Sequence, residues 1–91
     1  MVRNKRTARQ ILLDNGYEDV VIFENDSYDS ALIGVTEDNR AVYSYKKMVQ
    51  WCMEKNNCSE EDAMEWIDYN TIRSLPYAGE ESPIVVFDLH D

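Results

Sequence analysis

Ninety-one residues make one domain and leave no room for a second. With 44% hydrophobic residues and ten aromatics beside 30% charged ones, the chain can bury a core, which excludes a disordered segment. No run approaches the roughly 20 apolar residues of a membrane span, and a net charge of −9 sets the surface against nucleic acid and toward basic partners.

That charge is unevenly placed. Residues 1–10 hold Arg3, Lys5, Arg6 and Arg9 and no acid, whereas the rest holds all 18 acids against Arg40, Lys46, Lys47, Lys55 and Arg73. The expectation is a single domain over residues 1–91, with 1–6 as a flexible basic arm. No apolar segment follows the basic start, so it does not read as a secretory signal. The expected setting is cytoplasmic, with Cys52 and Cys58 as free thiols.

Along the chain, residues 7–15 read as a helix, because Ala8, Ile11 and Leu12 recur at i, i+3 and i+4. Gly16 is placed to end it in a left-handed cap, with Tyr17 folding back over the last turn. The cations stand at the wrong end for the helix dipole and weaken its start. Residues 20–23 (Val-Val-Ile-Phe) are β-branched and aromatic and predict a buried strand, followed by a polar loop over 24–29. Residues 31–35 predict a second strand, with Gly34 at a bulge or a close approach. Residues 37–40 carry turn chemistry and 41–43 return as a third strand, so the two form a hairpin with the first strand beside it.

The period changes at Tyr45. Tyr45, Met48, Val49 and Cys52 fall at i, i+3, i+4 and i+7, one stripe of a helix over 45–55. Ser59 with Asp62 three residues on resembles a capping box, opening a helix that runs to about Asn70 with Ala63, Met64, Trp66 and Ile67 as its apolar face. Residues 75–83 are loop, fenced by Pro76, Gly79 and Pro83. Residues 84–87 predict the last strand, extended by Leu89. The fold class is α+β: an N-terminal helix, a three-stranded antiparallel meander, two helices packed on one face, and a C-terminal strand joining the sheet.

The chemistry that these residues allow is narrow. The sulfur and imidazole donors are Cys52, Cys58 and His90, without zinc-site spacing, so no metal is expected. The single histidine stands next to the last residue, a poor place for the base of a nucleophilic site, and catalytic residues are expected to be none. Gly16, Gly34 and Gly79 are far apart, so no phosphate loop or cofactor is expected. Glu61, Glu65 and Asp68 fall at i, i+4 and i+7 and line one helix face. The stretch 69–79 is aromatic, polar and free of acids, with Arg73 expected to pair with Asp68 or Glu65. Tyr28, Tyr69 and Tyr77 stand in or beside polar loops, where tyrosines serve interfaces.

The runs 28–38 and 41–43, and above all Asp68-Tyr69-Asn70-Thr71-Ile72-Arg73-Ser74-Leu75-Pro76-Tyr77-Ala78-Gly79, resemble an uncharacterised family of small acidic proteins encoded by phages and mobile elements of gut-type bacteria. The resemblance covers roughly residues 10–88 and implies a setting, with no activity or ligand. Small acidic phage-borne proteins often inhibit host defence proteins, an analogy of setting. The function expected is a non-enzymatic protein-binding module, anti-CRISPR-like, whose acidic surface mimics nucleic acid toward a basic, nucleic-acid-binding nuclease. Glu61, Glu65, Asp68, Tyr69 and Tyr77 are the expected partner-binding residues, with no direct nucleic-acid or membrane contact. The alternative is a small homodimeric regulatory or housekeeping protein, joined through its last strand or an apolar helix face.

Overall fold

The computed structural model describes residues 7–23, 28–77 and 79–89. The basic residues Arg3, Lys5 and Arg6 of the expected arm, the start of the 24–29 loop and His90 lie outside them.

Helix α1 spans Ala8–Asp14. Its start is closed by a full capping box: the Thr7 hydroxyl accepts from the Gln10 N–H at 3.2 Å, and the Gln10 side chain accepts from the Thr7 N–H at 3.3 Å. Its end is the expected one. Gly16 has φ +89°, the Tyr17 N–H donates back to the Leu12 carbonyl at 2.8 Å, and the Gly16 N–H to that of Leu13 at 3.0 Å.

Residues 20–23 are not a strand. They run as irregular chain, with side chains meeting the Val20 carbonyl and the Phe23 N–H. The Arg9 guanidinium donates to the carbonyls of Glu18 (3.4 Å) and Val20 (3.0 Å), and the Phe23 N–H donates to the Tyr43 hydroxyl at 3.4 Å. Val20 is buried and Val21 exposed. Burial of Val20 and side-chain bonds to its carbonyl and to the Phe23 N–H hold this apolar run without a neighbouring strand. The same bonds make Arg9 a structural cation that ties α1 to this segment.

Tyr28 also differs from expectation, for it is a core residue. Its backbone is left-handed (φ 61°), which turns the ring inward at the start of a 3₁₀ turn, Asp29–Ala31. The hydroxyl shares a buried 2.9 Å hydrogen bond with Thr71 Oγ1, and the ring meets Phe23 edge-on (5.4 Å between centroids) and Trp51 at 4.9 Å. A left-handed non-glycine costs about 1–2 kcal/mol, which these contacts offset.

Strand β1 (Leu32–Val35) and strand β2 (Ala41–Ser44) form the expected antiparallel hairpin, with a register shift between Leu32 and Gly34 where the bulge was expected. Asn39 takes the left-handed position in the turn (φ 63°). The Thr36 hydroxyl accepts from the Arg40 N–H at 2.9 Å and donates to Asp38.

Chain direction turns without a linker into α2 (Tyr45–Asn56), then α3 (Glu60–Asn70) and a 3₁₀ segment, Ile72–Tyr77. The last strand, β3 (Ile84–Val86), lies parallel to β2, pairing Val42 with Ile84 and Ser44 with Val86. The sheet is therefore mixed and three-stranded, in the order β1-β2-β3, not an antiparallel meander with a fourth strand added. Two helices and a 3₁₀ segment supply the long crossover that a parallel pair requires. Helix α2 meets the sheet through β2, and α3 leans chiefly on α2. Tyr43, Met48, Cys52 and Ile67 are fully buried where these layers meet.

Ser44 joins the layers chemically. Its hydroxyl accepts from the Lys47 N–H at the start of α2 (3.2 Å) and contacts the Asp88 carboxylate at 2.7 and 2.8 Å. Asp88 also accepts from the Lys46 N–H at 3.4 Å, so a residue two positions past β3 caps the helix after β2. The Ser44 hydroxyl holds the Asp88 carboxyl below its usual pKa.

Candidate functional site

Helix α3 is built to be held by one narrow stripe. The Ser59 hydroxyl accepts from the Asp62 N–H at 3.2 Å, and Glu60, Glu61 and Asp62 in the first turn complement the dipole. Ala63 and Ile67 are completely buried and set the rotation of the helix. Glu61, Glu65 and Asp68 then fall on the far side, all exposed, with Tyr69 beside them at 67% exposure. The structure thus brings four of the five sequence-predicted residues to one helix face. The fifth, Tyr77, closes the 3₁₀ segment.

The expected apolar face of α3 is only half used. Met64 and Trp66 remain 39% and 47% exposed. Each step along a helix turns about 100°, so Met64, one past Ala63, and Trp66, one before Ile67, flank the buried stripe on opposite sides. That geometry was readable in the sequence.

Local bonds order this face. The Arg73 guanidinium lies over the Tyr69 ring, 5.1 Å from its centre, instead of on Asp68 or Glu65. Asn70 Nδ2 donates to the Trp66 carbonyl at 2.9 Å. Asp68 accepts the Tyr45 hydroxyl at 2.9 Å and so ties α3 to α2. Burial, then the bond to Asp68 and its charge, push the Tyr45 hydroxyl up to about 12. Asp68 therefore has an internal duty, tying α3 to α2 through Tyr45.

Depressions also mark other parts of the surface. One, ringed by Glu18, Asp19, Asp38 and Glu81, is acidic; the Thr36 hydroxyl holds Asp38 below the usual carboxylate range. No three His, Cys, Asp or Glu among the described residues come together as a metal-holding group. A second lies between α2, α3 and the chain after β3, where the Tyr45 and Phe87 rings pack at 4.8 Å beside Val49 and Met64. Another runs between α1 and β1. The two cysteines are free thiols, Cys52 in the core and Cys58 half-buried.

The connector 71–83 is well packed at its ends. Thr71 and Ser82 are buried, Ser74 Oγ donates to the Thr71 carbonyl at 2.8 Å, and Arg40 Nε donates to the Ser82 carbonyl at 3.0 Å. No helix among the described residues is long and apolar enough to cross a membrane. The chain matches no family model, no curated protein and no solved structure.

Proposed function

We propose that this chain is a non-enzymatic protein-binding module whose α3 face meets a basic surface on another protein. The observation that carries this reading is the exposure of three large side chains, Met64, Trp66 and Tyr69, among the acids of one helix. Acids alone make a solvated face. Aromatic side chains held out beside them offer the anchoring area that interfaces concentrate in a few residues, while the acids steer a basic partner in. A protein that binds nucleic acid presents such a basic groove, and the carboxylates of Glu61 and Glu65 take the place of phosphates. The proposed target class is a host defence nuclease, inhibited in the cytoplasm in the manner of an anti-CRISPR protein. The resemblance, over roughly residues 10–88, to small acidic phage-borne proteins supports that setting.

The test is retention of host proteins from a native lysate by the wild type and by the Glu61→Lys/Glu65→Lys variant, read by mass spectrometry at low and high salt. A basic partner held by the wild type at low salt, and lost both at high salt and on charge reversal, supports the proposal. Retention that is indifferent to both changes sinks it.

A further inference from the structure

The chain holds two cysteines, and the end of α2 brings them together. The helix stops at Asn56, and Asn57 takes the left-handed conformation (φ 51°, ψ 50°). There the chain doubles back. The Met53 carbonyl accepts from the Asn57 N–H and, at 3.3 Å, from the Cys58 N–H. In such a cap the second residue past the helix folds over the last turn and packs on a side chain about one turn back. Here the second residue is Cys58, and the residue it folds over is Cys52, six positions earlier. The Cys58 thiol donates to the Cys52 carbonyl at 3.9 Å, and Asn56 Nδ2 donates to Cys52 Sγ at 3.3 Å.

The two thiols differ in access. Cys52 is completely buried in the core, whereas Cys58 is half-buried and packs against that core. A small oxidant in solution therefore meets Cys58, and Cys52 meets Cys58. Burial first, and then the neighbouring Cys52 thiol, push the Cys58 thiol above its ordinary value. The thiolate is the nucleophile, so Cys58 reacts slowly at neutral pH and faster as the pH rises.

We propose that Cys52 and Cys58 are a redox pair that closes reversibly to an intramolecular disulfide under hydrogen peroxide. The Cys58 thiolate attacks one peroxide oxygen, the O–O bond breaks, and a sulfenic acid forms with release of water. The Cys52 thiol then attacks the Cys58 sulfur. The S–S bond forms, the S–O bond breaks, and the Cys52 proton leaves with the hydroxyl as a second water. The two sulfurs lose two electrons, which reduce the peroxide. In a reducing compartment such a bond is transient and reports oxidation. It clamps the last turn of α2 to the residue before Ser59, the cap of α3.

Differential alkylation of the full native chain tests this, read by mass spectrometry before peroxide, after it, and after dithiothreitol. Both wild-type thiols are expected to disappear together within one chain, faster at higher pH, and to return together on reduction. The oxidised chain is expected to melt a few degrees above the reduced one, since the bond restricts the unfolded chain. Amide exchange over residues 59–62 is expected to slow with it. Cys58→Ser, at a half-buried position, is expected to keep Cys52 reduced and to make Tm indifferent to peroxide. In Cys52→Ala, Cys58 is expected to pass on to sulfinic acid, having lost the thiol that resolves it. Glu61→Lys/Glu65→Lys is expected to oxidise like the wild type, so failure here is distinguishable from failure of the α3 reading. A wild type whose Cys58 reaches sulfinic acid while Cys52 stays reduced overturns the inference. So does a disulfide that joins two chains, a pair that closes only in urea, or thiols that survive a peroxide dose sufficient to oxidise free cysteine.

Discussion

Helices α2 and α3 are nearly the same length, and each is opened by a serine whose hydroxyl accepts from the N–H three residues on. They are put to different uses. Helix α2 buries Met48, Val49 and Cys52, and its flanking Tyr45, Trp51 and Met53 pack against the core. Helix α3 buries Ala63 and Ile67 and leaves Met64, Trp66 and Tyr69 outside with its acids. The difference follows from position. α2 lies between the sheet and α3 and is enclosed on two sides, whereas α3 packs on α2 and the 3₁₀ segment that follows it and turns its other side to solvent. A second helix in such a stack needs only a narrow stripe to stay in place, and the remainder of its surface is available to a partner.

Truncations in the two helices sharpen this contrast most. Met48→Ala and Ile67→Ala both open a fully buried site and are expected to cost about 2–5 kcal/mol, read by denaturant unfolding. Trp66→Ala, on the same helix as Ile67, is expected to change stability by less than about 0.5 kcal/mol, while partner retention is lost. A large loss of stability at Trp66 breaks the distinction between a holding stripe and a presenting face.

Polar groups between the layers come next. Thr71→Val removes the partner of the buried Tyr28 hydroxyl and is expected to cost about 1–3 kcal/mol. Ser59→Ala removes a single cap, at about 1 kcal/mol. Ser44→Ala is expected to cost more than Ser59→Ala, because it also removes the contact to Asp88 that ties β3 to α2. Equal costs at the two serines argue against Asp88 as a tie between layers.

Smaller effects appear as pH dependence. The folded pKa of Asp88 lies below its ordinary value, so its contribution to stability is present above the unfolded pKa of about 3.9 and is lost as the pH falls through the folded value. Asp88→Asn is expected to flatten that part of the acid limb in urea midpoints measured against pH. At the other end, the Tyr45 hydroxyl is raised to about 12, so its contribution is complete below the unfolded pKa of about 10 and disappears as the pH rises through the folded value. Tyr45→Phe is expected to reduce the alkaline loss without abolishing it, because burial also pushes Tyr43 up to about 12.

Much of this fold is legible in the chain. Gly16 and Tyr17 end α1 as their types require, Asn39 takes the left-handed turn position, and the 45–55 periodicity marks α2 to within a residue. Each depends on interactions within a few residues. The acids Glu61, Glu65 and Asp68 are legible as one face for the same reason. The Thr7–Gln10 capping box was equally local, a threonine followed three residues later by glutamine, and was hidden behind the unfavourable cations around it.

What the sequence determined by itself was therefore the set of local structures: three helices, their caps, one hairpin, and a helix face rich in acid. Tertiary structure decided the rest. Whether 20–23 forms a strand depended on Arg9 and Tyr43 reaching its backbone. Whether Tyr28 is a surface or a core residue depended on Thr71, 43 positions away. The direction of β3 depended on where two helices and a 3₁₀ segment delivered it. In each case the deciding partner is distant in the chain, and hydrophobic and β-branched residues report only that they will be buried, not which neighbour will bury them.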